Sequence, residues 1–268
     1  MITVQAIPAF QDNYIWLIKA ENSRNVLIVD PGDAYPVFNV IEKQGLNPVA
    51  ILVTHQHYDH INGVNELVKQ YSLPVFGQKV RNEDVITDDI SDKKQFVLNA
   101  AFPSITVLNT PGHTATHLSY LIEGNLFCGD TLFAAGCGRL LDENARPLPN
   151  ELRATAAKQL YDSLVTLSAL PDSTHIYCAH EYTLNNLRFA ATVEPTNSMI
   201  QQRIGETDLL RQQKKPSLPS TIAMELKTNP FMRCKQLEVI QSAESFCKTK
   251  LHTPLSVFTT LRTWKDQF

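Results

Sequence analysis

The sequence predicts an α/β layer followed by a helical region. Three observations predict it. Short apolar runs of strand length, each closed by a polar or turn cluster, recur from Ile2 to Ala179. Amphipathic stretches of helical period lie between them. After His180 the strand-type runs stop and helical patterns continue to Phe268. A chain of 268 residues accommodates one large or two modest domains, and residues 1–180 and 181–268 are the expected division.

The first strands are expected at Ile2–Ile7, Tyr14–Ile18, Val26–Val29 and Val49–Val53. The third runs into Asp30-Pro31-Gly32-Asp33, a turn cluster. Val37, Val40 and Ile41 then mark a helix, with Pro36 suited to its first turn. Val64, Leu67, Val68 and Tyr71 recur at i, i+3, i+4, i+7 and mark another. Later strands are expected at Ile105–Leu108, Leu118–Ile122, Leu126–Cys128 and His175–Ala179, with a hairpin turn at Glu123-Gly124-Asn125. Glu151–Leu167 has a helical pattern. Five further helices are expected at Thr183–Val193, Ser198–Gln212, Ser220–Thr228, Lys235–Lys248 and Thr253–Phe268. Thr253-Pro254 supplies the last with a cap and a favourable first residue.

Composition excludes several classes. With 43% hydrophobic and 19% charged residues, the chain is neither disordered nor collagen-like nor a coiled coil. The net charge of −3 excludes a strongly basic nucleic-acid binder. That charge is divided: residues 181–268 carry +4 and residues 1–180 carry −7. No apolar run reaches the ~18–20 residues that cross a bilayer. The start, Met1–Pro8, reads as a strand rather than a leader. Five cysteines without CxxC spacing read as free thiols of a reducing, cytoplasmic setting.

The chemistry lies in the histidines. Thr54-His55-Gln56-His57-Tyr58-Asp59-His60 follows directly on the apolar run Val49–Val53. Residues two apart on an extended segment point the same way, so His55 and His57 can hold one ion. Asp59 and His60 follow as the chain turns into a helix and can reach a second. Thr110-Pro111-Gly112-His113-Thr114, Gly129-Asp130-Thr131 and Cys178-Ala179-His180-Glu181 also lie where strands run out. Imidazole and carboxylate together suit zinc, iron and manganese. A site for two metals is therefore expected at one sheet edge. His117 reads either as a residue behind the ligands or as an ordinary half-buried histidine, and His175 and His252 as structural or solvated. Cys137, between two glycines, reads as a tight-turn residue and not as a nucleophile.

The Thr54–His60 run with the PGHT, GDT and AHEY segments resembles the metallo-β-lactamase superfamily. Asp12-Asn13-Tyr14, Gly136-Cys137-Gly138-Arg139, His180–Asn186 and the terminal Arg262-Thr263-Trp264-Lys265-Asp266-Gln267-Phe268 are similar to the glyoxalase II, or hydroxyacylglutathione hydrolase, family. The resemblance implies an αββα sandwich that carries two metals, and a helical C-terminal domain that completes the substrate site. It implies His55, His57 and His113 on the first metal, Asp59, His60 and His180 on the second, and Asp130 bridging. Asp59 and Asp130 are the carboxylates at the reacting water. Asp30 reads either as orienting a ligand histidine or as a plain turn cap. Zinc is the expected metal, with iron and manganese acceptable to the same ligands.

The family reaction is hydrolysis of S-2-hydroxyacylglutathione, typically S-D-lactoylglutathione, to glutathione and D-lactate. Two ions acidify a water for attack on the thioester carbonyl. The resemblance further implies Arg139, Tyr182, Arg262 and Lys265 as contacts for glutathione. Arg262 and Lys265, three apart on the last helix, share one face and would clamp the glycyl carboxylate. The chain departs from the family after Arg139. The family's aromatic and Glu-Gly-Thr-Ala segment is replaced by a stretch from Leu141 to Leu152, longer by about nine residues. Leu141 or Leu152 takes the aromatic position without a hydroxyl. A monomer with no nucleic-acid or membrane partner is expected. The alternative is another enzyme of the superfamily, such as a lactonase, a β-lactamase or a single-iron persulfide dioxygenase.

Overall fold

A computed structural model describes residues 1–80 and 85–268. The first sheet contains β1 (Ile2–Ala9), β2 (Asn13–Ala20), β3 (Asn25–Val29), β4 (Asn47–Leu52), β5 (Val75–Gly77) and β6 (Asp88–Asp89), in that spatial order. Helices α1 (Ala34–Gln44), α2 (Tyr58–Ile61) and α3 (Val64–Tyr71) interrupt it. The second sheet starts with β7 (Gln95–Phe96), β8 (Ile105–Asn109), β9 (Leu118–Ile122) and β10 (Asn125–Gly129). A small hairpin, β11 (Leu132–Phe133) with β12 (Gly136–Cys137), precedes α4 (Asn150–Ser168) and β13 (His175–Cys178). Helices α5 (Thr183–Val193) and α6 (Ser198–Gln212) follow, then β14 (Ser220–Thr221), α7 (Ile222–Thr228), α8 (Leu237–Cys247) and α9 (Pro254–Lys265). The order across the second sheet is β14-β13-β10-β9-β8-β7.

Strand alternation explains the layering. On β2, Tyr14, Trp16 and Ile18 join the core shared with the second sheet, whereas Ile15 and Leu17 join the core under α1 and α3. Leu27 and Val29 against Val26 and Ile28 repeat the division on β3. A sheet buried on both faces needs cover on both, and helices supply it on the outside. Across the second sheet, Ala157, Leu160, Leu164 and Leu167 of α4 provide the same cover.

Local signals set the ends of the elements. Asp33 caps α1 by accepting from the Tyr35 amide, and Gly45 closes it at φ 59°. Thr253 and Ser256 form a reciprocal capping box at the start of α9, with Pro254 in its first turn. The strands β5, β6, β7, β11, β12 and β14 have two or three residues each, too few to show a period in sequence. β14 qualifies the helical reading of the C-terminal region. Ser220 and Thr221 pair antiparallel with Ile176 and His175, so α7 begins only at Ile222. Cys137 lies on β12 rather than in the turn, which falls at Ala134-Ala135 with Ala135 at φ 56°.

β3 and β4 are parallel, as are β10 and β13, and β8 runs with β10 across the antiparallel β9. Their C-terminal ends therefore meet along one edge. The Tyr14 amide donates to the Ala179 carbonyl (2.7 Å) and the Glu181 amide to the Asp12 carbonyl (2.8 Å), which joins the two sheets there.

Candidate metal centre

β4 delivers His55 and the start of α2 delivers His57, Asp59 and His60. The β8–β9 connection carries His113, the end of β10 carries Asp130, and the end of β13 carries His180. All seven sequence-predicted ligands converge. His55, His57, His60, His113, Asp130 and His180 are buried, while the Asp59 side chain is 30% exposed at the mouth.

Three ring nitrogens form one cluster. His57 Nδ1 lies 3.0 Å from His55 Nε2 and 3.1 Å from His113 Nε2. A ring nitrogen offers one lone pair or one hydrogen, so His57 Nδ1 cannot satisfy both neighbours by hydrogen bonding. A cation among the three can. Their spacing is that of ligands held at ~2.0–2.1 Å from one zinc-like ion. The second cluster is Asp59, His60 and His180. Asp59 Oδ2 is 3.6 Å from His60 Nε2 and 3.3 Å from His180 Nε2. Asp130 faces both clusters: Oδ1 is 3.5 Å from His60 Nε2, and Oδ2 is 3.6 Å from His113 Nε2 and 3.4 Å from His180 Nε2.

Two further observations fit metals. Among the described residues, His60 Nε2 and Asp130 Oδ1 are buried with no hydrogen-bond partner, an expensive state for polar atoms unless an ion takes them. The charge balance agrees. Burial holds the His55 ring well below the usual histidine range and His113 at about 4, so both are neutral ligands. Burial also opposes charge in the second cluster, yet Asp130 and Asp30 raise His60, and Asp130 and Asp12 raise His180. Against burial, the rings of His180 and His60 hold the Asp130 carboxyl far below the ordinary range. The carboxylates thus demand positive charge at the point where the second ion would sit.

The outward atom of each ligand ring is pinned. His55 Nδ1 meets Thr54 Oγ1 (3.1 Å), His60 Nδ1 meets Asp30 Oδ2 (2.9 Å), and His180 Nδ1 meets Asp12 Oδ1 (2.8 Å). His57 Nε2 donates to the Asp142 carbonyl (2.9 Å) and His113 Nδ1 to the Arg139 carbonyl (2.8 Å). Such partners fix the tautomer and the ring plane. Asp30 is therefore more than a turn cap: it also accepts from the Thr54 amide and hydroxyl, both at 2.7 Å. Asn13 Nδ2 donates to Asp59 Oδ2 (2.9 Å). His117 is fully buried, and its Nε2 accepts the Asp130 amide (3.1 Å), which holds the loop that presents Asp130. His175 and His252 are exposed and away from the cluster. Burial pushes the Cys137 thiol up to about 11, which leaves it protonated and inert.

The substrate-side residues divide. Arg139 is 61% exposed. Tyr182 stacks on His180, rings 4.6 Å apart and 6° from parallel, and burial pushes its phenol up to about 12. Lys265 Nζ lies 5.3 Å and 5.0 Å from the ring centroids of Phe189 and Phe268. Arg262, expected with Lys265 to clamp the glycyl carboxylate, is buried. Only 3% exposed, it donates to the Cys137 carbonyl (3.0 Å) and to Asp266 Oδ1 (2.9 and 3.1 Å). Helical spacing places Arg262 and Lys265 on one face but does not say that the face packs against Phe231 and the β11–β12 hairpin.

The segment Leu141–Leu152 is ordered by its own contacts. Asp142 Oδ1 accepts from the Asn144 and Arg146 amides (2.9 and 2.8 Å), and the Leu148 amide donates to the Leu140 carbonyl (3.2 Å). Leu152 is 55% exposed, whereas Leu141 is half-buried and bridges to Pro147.

Residues 10–180 match the family model described as the metallo-beta-lactamase superfamily, and residues 181–268 match that of the hydroxyacylglutathione hydrolase C-terminus. A hydroxyacylglutathione hydrolase of Aeromonas salmonicida is 48% identical over 100% of this chain and 100% of its own. One of Nitrosomonas europaea is 42% identical over 100% of this chain and 97% of its own. Among solved structures, ETHE1 from Myxococcus xanthus superposes with a TM-score of 0.62 at 21% identity, covering 99% of this chain and 98% of that one. The BLEG-1 B3 metallo-beta-lactamase gives 0.61 at 21% identity over 86% and 99%. These structural likenesses speak for the fold.

Proposed function

Because the chain belongs to the hydroxyacylglutathione hydrolase family of the metallo-beta-lactamase superfamily, we propose that it hydrolyses S-2-hydroxyacylglutathione thioesters, S-D-lactoylglutathione foremost, to glutathione and a 2-hydroxy acid, the second step of methylglyoxal detoxification. The observation that carries the reading is the pair of ligand clusters with Asp130 facing both.

His55, His57 and His113 would hold one ion, Asp59, His60 and His180 the other, with Asp130 between them. Bound there, two divalent ions, zinc by preference with iron or manganese accepted, supply acidified water and polarisation of the carbonyl. The chain's own residues do the rest. Asp30, Asp12 and the carbonyls of Arg139 and Asp142 hold each ring in one tautomer and plane. Asn13 fixes the partly exposed Asp59 carboxylate at the mouth. Arg139 and Tyr182, which adjoin His113 and His180, would bind the tripeptide together with Lys265, and Arg262 fixes the Cys137-Gly138 backbone that leads to Arg139. The leaving thiol has a pKa of about 8.5 and departs as thiolate, so no general acid is required of the chain.

Action as a monomer belongs to the same reading. The division into a catalytic part, 1–180, and a substrate-holding part, 181–268, belongs to the same reading. So does a cytoplasmic setting, supported by five cysteines that are all free. No helix of the described residues is long and apolar enough to cross a membrane.

The test is turnover of S-D-lactoylglutathione beside a β-lactam, a lactone and glutathione persulfide, with metal quantified on the same sample. Thioester hydrolysis with about two metals per chain supports the reading. Sulfite from the persulfide with one iron per chain overturns it.

A further inference from the structure

Asp266, the residue that ends α9, sits among three guanidinium groups. Arg262 binds its Oδ1 through Nε and Nη2 (3.1 and 2.9 Å), Arg153 Nη2 binds its Oδ2, and Arg139 Nε stands 3.8 Å from Oδ1. One carboxylate cannot neutralise three cations. Lys265, one residue away, adds a fourth positive group, and among the described residues no carboxylate lies within salt-bridge distance of it. The cluster is short of anions. It adjoins the metal centre through Arg139, whose carbonyl holds His113.

Exposure separates the members. Arg262 is buried, so its guanidinium stays with Asp266 and the Cys137 carbonyl. The side chains of Arg153 and Arg139 are 26% and 61% exposed and keep donors free for an incoming group. Arg153 also stands in the first turn of α4, directly after the Leu141–Leu152 segment. A cation at the positive end of a helix is disfavoured by the helix dipole. A role outside the helix accounts for it there.

We propose that Arg153 is a substrate-binding residue: together with Arg139 and Lys265 it takes the glycyl carboxylate of the glutathione thioester, with Asp266 holding its guanidinium in place. This rests on the functional reading above. The segment Leu141–Leu152 leads directly into this arginine, which brings a charged donor to the carboxylate. A guanidinium matches a carboxylate by two parallel N–H bonds, so specificity shifts toward the ionised carboxylate.

The experiment compares Arg153→Leu and Arg153→Lys with the unaltered metal-loaded enzyme on two substrates: S-D-lactoylglutathione and its glycyl ethyl ester, which lacks that carboxylate. R153L should raise KM for the free acid about tenfold, the scale of one lost charge-assisted bond, with kcat within about twofold. The same substitution should leave KM for the ester unchanged, and R153K should recover part of the loss. An equal change on both substrates, an unchanged KM, or a fall confined to kcat would overturn the proposal and leave Arg153 as a clamp between α4 and α9. Should R153L not fold, R153K decides the matter alone: its KM must rise on the acid and not on the ester. If the unaltered enzyme hydrolyses neither thioester, the functional reading has failed; hydrolysis with an indifferent Arg153 defeats this inference alone.

Discussion

Asp30 and His60, thirty residues apart, meet at the ends of β3 and α2 with Oδ2 2.9 Å from Nδ1. The same carboxylate takes the amide and hydroxyl of Thr54, whose hydroxyl touches His55. One side chain thus steadies a ligand of each cluster. Asp30 lies at φ 50°, a conformation that asparagine also accepts, so Asp30→Asn leaves the backbone unstrained. The amide has one acceptor oxygen and cannot serve all three donors. Metal affinity should fall about 10–100-fold, read by chelator competition on the purified variant. Unaltered affinity would return Asp30 to the role of a turn cap.

Asp130 is the residue that faces both clusters. Asp130→Asn should lower bound metal from about two per chain to one or fewer and cut turnover at least about a hundredfold. His57→Ala should do the same through the first cluster. Full turnover in either variant with its metal measured would reject the ligand assignment.

If Lys265 binds the substrate, it should set the pH response of KM. Burial, helped by the neighbouring Arg262 cation, lowers its amine to about 8. The amine is charged below that value and loses its charge as pH rises through it. KM for the anionic substrate should therefore rise between about pH 7 and pH 9, with kcat little affected by this group. Lys265→Arg stays charged and should remove the rise. A KM profile identical in the arginine variant would show that another group is responsible.

Gly129 is held at φ 45°, and a Cβ there would stand 2.3 Å from Thr54 Oγ1 and 2.8 Å from His117 Nε2. Gly129→Ala should cost roughly 1–3 kcal/mol of stability by denaturant titration, from backbone strain and the displaced Thr54 and His117. Metal binding should weaken with it, because Thr54 orients His55 and His117 holds the Asp130 amide. An unchanged midpoint would mean that the two neighbours relax freely.

The ligand set is legible in sequence because the His55–His60 run is contiguous and each remaining ligand follows an apolar strand. Their partners are not legible. The carbonyls of Arg139 and Asp142 belong to no side-chain pattern, and Asp12 reaches His180 across 168 residues. The triplet Asp12-Asn13-Tyr14 stands out only by resemblance, yet Asp12 and Asn13 grip His180 and Asp59. Helix positions in the C-terminal region follow from periodicity, but burial of a charged residue does not. Arg262 lies next to the buried Leu261 and one turn after the buried Phe258, a local hint that its face points inward. The pairing of β14 rests on two residues and leaves no periodic trace.

Arg262 reaches the carbonyls of Cys137 and Gly138, and the next carbonyl along, that of Arg139, holds His113. Three consecutive peptide units therefore connect the end of the last helix to a ring in the first metal cluster. The backbone that sets one imidazole is thus held from the last helix, by a side chain that is itself none of the seven candidate ligands.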